Sequence, residues 1–302
     1  MPEESGLVNW EDIVAELIYV NGRLVPRGRA RISPFDHGFL FGFGLFETMR
    51  AYNGRIFRLE QHLERLSKSA GELGIPLPPF DLATACYDTL HANNLAEARL
   101  RLTLTAGPGG ALPDTGTCTG PTVAIMAMPI EAPSPEKYQQ GYRAALSSLR
   151  RNSQSPLSRM KSTCYAEGIL ARREAHHRGV DEVVVLNEKG FVAEGSSTNL
   201  FLVKGAVLVT PSVDSGILPG IARLVVLEIA KAAGLKSEER TVLLSELTQA
   251  DEAFFTNSIR EIVPLTVYEG RPVGQGEPGA VTCHLAEAYR ALVRKETGAG
   301  PV

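Results

Sequence analysis

Lys161 stands in SRMKSTCYAEGILARREA, between an irregular loop and a segment with helical spacing. A lysine amine forms a Schiff base with an aldehyde when burial or nearby positive charge lowers its pKa. At a helix start it otherwise serves as a solvated charge. Glu194 lies in FVAEGSSTNLFLV. A carboxylate inside an apolar strand costs free energy unless it is paired. Such a group could hold a proton on a pyridine nitrogen and make a pyridoxal ring an electron sink; on an edge strand it would face water. SGILPGIAR (215–223) opens a helix at Gly-Ile-Ala, and free N–H groups at a helix start bind anions. Arg65, in EQHLERL, could give a phosphate a charge-assisted bond. Thr256, Asn257 and Ser258 follow a buried strand in FFTNSIREIVPL, a position where loops carry sites or plain turns.

The elements that must hold these residues alternate between strands and helices. ELIYV-NG-RLV and LFETMRAY-NG-RIFRL read as hairpins, because Asn-Gly suits a tight turn with positive φ. Residues 59–73 repeat Leu59, His62-Leu63, Leu66 and Ala70 at helical spacing, and Gly74 can end the helix. Residues 81–94 predict a second helix, ARLRLTLT (98–105) an alternating strand and PTVAIMAM (121–128) a more buried one. Beyond a proline-rich stretch come a strand (141–150), a loop (151–160) and a helix over 163–178. DEVVVLN, FVAEG, TNLFLV and AVLVT then run as strands. A long helix follows from Pro219 to Gly234, then a buried strand DEAFFTN and a final helix over 280–295. Hairpin-joined strands with helices between them indicate an α+β fold, not a doubly wound sheet. The expected organisation is an N-terminal extension (1–14), a small domain (15–130), a linker (131–138) and a large domain (139–302).

The 302 residues are 44% hydrophobic and 22% charged, ordinary for a globular enzyme. A net charge of −3 offers no bulk attraction for nucleic acid or acidic membranes. No apolar run reaches the ~20 residues of a spanning helix, and MPEESGLVNWEDIVAE lacks the features of a signal peptide. A cytoplasmic location is the expectation. Cys86, Cys118, Cys164 and Cys283 form no CxxC pair, which favours free thiols over zinc or disulfides.

Five segments, in this order, resemble the fold type IV pyridoxal-phosphate enzymes: FDHGFLFGFGLFETMRAYNGRIFRLEQHLERL, KSTCYAEGILARREA, GFVAEGSSTNLFLV, LPGIAR and FFTNSIREIVPL. That family includes branched-chain aminotransferases, D-amino-acid aminotransferases and 4-amino-4-deoxychorismate lyases. The resemblance implies a two-domain α+β architecture with pyridoxal 5′-phosphate at the domain interface, in a homodimer. It makes Lys161 the Schiff-base lysine and Glu194 the partner of the pyridine nitrogen. It assigns phosphate binding to Arg65, Ser258 and the amides of Ile221 and Ala222. Tyr165 falls near the ring's phenolic oxygen, and Leu218 against the ring face. Phe41, Phe46, Glu47 and Arg101 are the implied substrate contacts, with Glu47 facing the pocket.

The chain also departs from the family's patterns. Gly220-Ile221-Ala222 lacks the threonine of many relatives, and Gly42-Phe43-Gly44 replaces the Gly-Asp-Gly of lyases. AGPGGALPD has no Arg-x-His pair, as D-amino-acid enzymes have there. Arg99-Leu100-Arg101 keeps the arginine of the branched-chain Tyr-x-Arg and loses the tyrosine. Alternation puts Arg99 and Arg101 on one face without fixing whether that face is inward. Three readings follow: an aminotransferase moving an amino group between an amino acid or amine and a 2-oxo acid; an aminodeoxychorismate lyase releasing pyruvate; and a non-catalytic binding protein, which would not need both Lys161 and Glu194.

Overall fold

The computed structural model describes residues 16–130 and 135–300; the expected extension over 1–14 lies outside them. Of the expected linker, 131–134 also lie outside, and 135–138 begin a short helix.

The first unit is a six-stranded antiparallel sheet. Its members are β1 (Leu17–Val20), β2 (Arg23–Pro26), β3 (Gly44–Tyr52), β4 (Arg55–Ile56), β5 (Ala98–Thr105) and β6 (Thr122–Pro129), in the order β2-β1-β6-β5-β3-β4. Asn21-Gly22 and Asn53-Gly54 turn the two expected hairpins with all four residues at positive φ, which this turn requires. The second arm of the later hairpin pairs over only two residues. Helices α1 (His37–Phe41), α2 (Leu59–Leu73) and α3 (Leu82–Ala92) accompany the sheet. The alternation of β5 now acquires a direction. Leu100, Leu102 and Leu104 are fully buried in the core with Leu59, Leu66 and Leu90 of α2 and α3, each stabilising by about 1.5–3 kcal/mol. Arg101 and Thr103, only partly buried, line the opposite face.

The second unit begins with α4 (Pro135–Gln140) and is built on a nine-stranded mixed sheet. Its elements are β7 (Tyr142–Arg151), α5 (Ala166–His177), β8 (Glu182–Asn187), β9 (Val192–Gly195), β10 (Asn199–Lys204), β11 (Val207–Pro211), α6 (Ile221–Ala232), β12 (Lys236–Arg240), α7 (Leu244–Thr248), β13 (Glu252–Asn257), β14 (Glu261–Tyr268), β15 (Arg271–Pro272) and α8 (Ala280–Thr297). The main path runs β12-β11-β10-β13-β14-β7-β8-β9. The sheet curls so that Val184, Val192, Leu202, Val209, Phe255 and Val263, from six of its strands, share one core. Helices α6 and α8 cover its outer side through Val225, Val226, Leu285 and Tyr289.

The two units meet along β3. Tyr52 and Phe57 join the α6–α8 core, and Arg50 donates to the Ile259 carbonyl (2.8 Å) and the Glu261 carboxylate (3.2 Å). Three elements differ from expectation. The helix expected from 163 starts at Ala166, because the preceding residues are tied to β3: Phe46 N donates to the Lys161 carbonyl (2.8 Å) and Thr163 N to that of Gly44 (2.9 Å). KSEER is a strand, β12, paired in parallel with β11. EIVPLTVY, for which the sequence pattern suggests no element, is a central strand, β14.

Candidate active site

The Phe46–Lys161 hydrogen bond sets the lysine at the junction of the two units. Its Nζ lies 4.7 Å from the centre of the Phe46 ring, and the Arg101 guanidinium lies 3.9 Å from the same ring. Tyr165 meets that ring edge-on at 5.4 Å and donates its hydroxyl to the Ser196 carbonyl (3.1 Å). Burial lowers the Lys161 pKa to about 8; Arg65 and Arg101 push the same way, while Glu47 and Glu194 oppose. The Arg101 side chain makes no hydrogen bond or ion pair to the described residues, and burial, with Arg99 beside it, lowers its pKa.

Glu194, on β9, is buried, and burial raises its pKa against the pull of Arg151. Oε1 is paired with Arg151 at the end of β7. Oε2 accepts from the Leu218 amide (3.0 Å) and from Asn199 Nδ2 (3.2 Å), which also donates to the Leu218 carbonyl (2.9 Å). Leu218 thereby fixes the carboxylate through its backbone. Two residues on, Gly220 caps α6 without a side chain, and a Cβ there would sit 2.0 Å from Asn199 Oδ1. Only glycine lets α6 begin this close to β10. Ile221 and Ala222 open the helix, where first-turn amides have no partner within it.

Arg65 reaches the same place from α2. Its Nη1 donates to the Pro219 carbonyl (2.8 Å), and its other nitrogens grip Glu47 at 2.9 and 2.6 Å. Glu47 is 1% exposed, with both oxygens taken by Arg65 and by His62 Nδ1 (2.6 Å). This corrects the expectation that it faces the pocket: β3 turns it under α2, where the two bases hold its pKa near 2 despite burial. Ser258, in the β13–β14 turn, places Oγ 3.5 Å from His62 Nε2. Asn257 Oδ1 accepts from the amides of Ile259 (3.0 Å) and Arg260 (2.7 Å) and so shapes that turn. Phe41 stands apart: it is 37% exposed on α1, its ring against His37.

The residues around Lys161, Glu194, Arg65 and the start of α6 thus converge, and a sequence model described as "Amino-transferase class IV" matches residues 44–268, which contain all of them. The chain belongs to this family. A Methanocaldococcus jannaschii protein provisionally named a branched-chain-amino-acid aminotransferase is 40% identical over 92% of this chain and 96% of its own. The aminodeoxychorismate lyase of Bacillus subtilis is 36% identical over 92% of this chain and 95% of its own. The crystal structure of the T.th. branched-chain amino acid aminotransferase with pyridoxamine 5′-phosphate superposes with a TM-score of 0.88 at 31% identity, covering 96% of each chain. Sequence reasoning missed Arg151 and His62. The one signal available for His62 was a histidine in the apolar stripe of α2, three positions before Arg65. Among the described residues no cluster suits a metal ion, and no helix is long and apolar enough to cross a membrane.

Proposed function

We propose that this class IV family member is a pyridoxal-phosphate aminotransferase that binds its cofactor through Lys161 and its substrate carboxylate through Arg101. The observation that carries the reading is the convergence of a lysine of lowered pKa, a buried ion-paired carboxylate and an open helix start. Two buried hydroxyls support the fit: Thr256 Oγ1 and Ser196 Oγ have no hydrogen-bond partner among the described residues. A buried hydroxyl left without a partner costs about 1–3 kcal/mol. Thr256 pairs directly with Asn199 across the β10–β13 ladder, beside the start of α6. The amides of Ile221 and Ala222, with Arg65, Thr256 and Ser258, would hold the phosphate. Glu194 would hold a proton at the ring nitrogen, and Tyr165 and Leu218 would flank the ring.

Bound pyridoxal phosphate supplies an aldehyde for the substrate amine and a ring that delocalises the electrons left when Cα loses its proton. The protein does the rest. With a pKa of about 8, Lys161 can take a proton from Cα and return it, because a base near the working pH exists in both forms. Burial raises the pKa of Glu194, and Arg151 and the Leu218 amide oppose it by favouring the charged form. Arg101, seated on Phe46 and unpaired, presents a guanidinium that can take a carboxylate through two parallel bonds. Ile32, Phe35, Phe39 and Leu40 are exposed large apolar side chains on and just before α1, and exposed apolar patches mark protein–protein contacts. A second copy of this chain covers them, making a homodimer.

Pyruvate elimination from aminodeoxychorismate is the second reading, supported by the identity to the Bacillus subtilis lyase. The test is a panel of L- and D-amino acids with a 2-oxo acid acceptor, run beside aminodeoxychorismate with the cofactor supplied. Amino-group transfer is the expected result. Pyruvate from aminodeoxychorismate, with no transfer from any amino acid, would replace it with the lyase.

A further inference from the structure

His62 lies at the back of the proposed phosphate site with no assigned part in it. It is 1% exposed on α2. An ionised carboxylate only accepts hydrogen bonds, so the 2.6 Å contact to Glu47 puts a hydrogen on His62 Nδ1. In neutral His62 the other nitrogen, Nε2, is then an acceptor, and it faces Ser258 Oγ at 3.5 Å. Ser258 has a single hydroxyl hydrogen. Given to His62, it is withheld from a phosphate oxygen. A second proton on His62 reverses the contact: Nε2–H donates to Ser258 Oγ, and the serine hydrogen turns to the anion.

We propose that His62 takes a proton from solvent onto Nε2 when an anion settles between Ser258 and the start of α6, so that phosphate binding here is linked to pH. The inference rests on reading this face as the phosphate site. The groups facing His62 are Glu47 from β3, Arg65 from α2, Lys161 from the segment before α5 and Ser258 from the β13–β14 turn. Burial, Arg65 and Lys161 hold its pKa below the ordinary 6.5, and Glu47 opposes them. A dianion at Ser258 adds negative charge on the open side and shifts that balance toward imidazolium.

Sulfate tests this, because it does not titrate in the neutral range. Calorimetric titration of the full chain, freed of cofactor, in two buffers of different ionisation heat counts the protons taken up. The expected uptake is about one per sulfate, with affinity rising up to about tenfold for each pH unit lost. His62→Gln, which carries a non-titrating N–H, should still bind sulfate but without this uptake. Ser258→Ala should also lose it. Lys161 titrates near pH 8, so any uptake from it appears at higher pH and survives in His62→Gln. The ring nitrogen shifts of His62 in the unaltered chain give the same answer without a substitution, moving to the doubly protonated pattern as sulfate is added. Unchanged uptake in His62→Gln, or a neutral His62 with sulfate bound, overturns the linkage and leaves the phosphate site standing. Sulfate that fails to bind, or that pyridoxal phosphate does not displace, overturns both.

Discussion

Glu194 and Lys161 show how burial tunes single groups. Glu194→Gln removes the charge that would hold a proton on the ring and leaves Arg151 facing an amide. The proposed phosphate contacts are untouched, so the variant should still bind cofactor by absorbance titration. Its turnover should fall on the order of a hundredfold or more, since a strong electrostatic partner in a site is worth about 3–4 kcal/mol of barrier. Near-normal turnover with cofactor bound would remove Glu194 from this role. Lys161 bears a cost of its position in the cofactor-free chain. Its pKa is near 8 in the fold against 10.5 in a free lysine, so between those values the unfolded chain binds more protons and stability rises with pH. Below pH 8 the cost is complete. Lys161→Met should therefore stabilise the cofactor-free chain by about 1–3 kcal/mol at pH 7. The gain should shrink toward pH 10. Denaturant unfolding at both values checks it, and a destabilised variant at pH 7 would show that the amine is not held under strain.

At the scale of elements, β5 turns an ambiguous pattern into a prediction. Its leucines point to α2 and α3, which leaves Arg101 on the face shared with Phe46. Arg101→Leu should raise KM for carboxylate substrates about tenfold or more, the worth of a hydrogen bond to a charged group. Amines without a carboxylate should change little, and steady-state kinetics on both classes separates a carboxylate anchor from general damage. The same strand shows what was legible in the sequence. Period-two alternation and Asn-Gly turns specify the small sheet, and the helical spacing of 59–73 specifies α2, because local rules suffice there. Lys161 and Glu194 stood out as charges in segments otherwise suited to loop and strand. β12 was hidden because KSEER is an exposed edge strand with no apolar alternation. β14 was hidden because Glu261 opens and Pro264 interrupts the apolar run of EIVPLTVY. Arg151 and His62 escaped because their roles arise from tertiary contact alone: Arg151 lies 43 positions from Glu194, and His62 fits the apolar stripe of α2. The misplaced Glu47 has the same origin, since only the packing of α2 on β3 decides that Arg65 and His62 enclose it.

The candidate site lies where β3, α2, α6 and the β13–β14 turn meet, so the proposed catalysis would depend on how the two units are held together. The proposed dimer, through the exposed apolar residues around α1, would extend that dependence to a second copy. Phe39, 73% exposed, is the test: Phe39→Glu should shift sedimentation from dimer to monomer, and an unaltered chain that sediments as a fully active monomer would rule out the dimer. Amino-group transfer as proposed requires that Lys161 hold the cofactor. The most direct measurement is borohydride reduction of the protein with pyridoxal phosphate, followed by peptide mapping, before and after exposure to an amino donor alone. Reduction before the donor should place the adduct on Lys161; reduction after the donor has converted the cofactor to its amine form should yield none, and reduction after a 2-oxo acid is then added should yield it again. An adduct on another lysine, or one that forms on Lys161 undiminished after every amino donor, would show that Lys161 does not hold the cofactor for amino-group transfer.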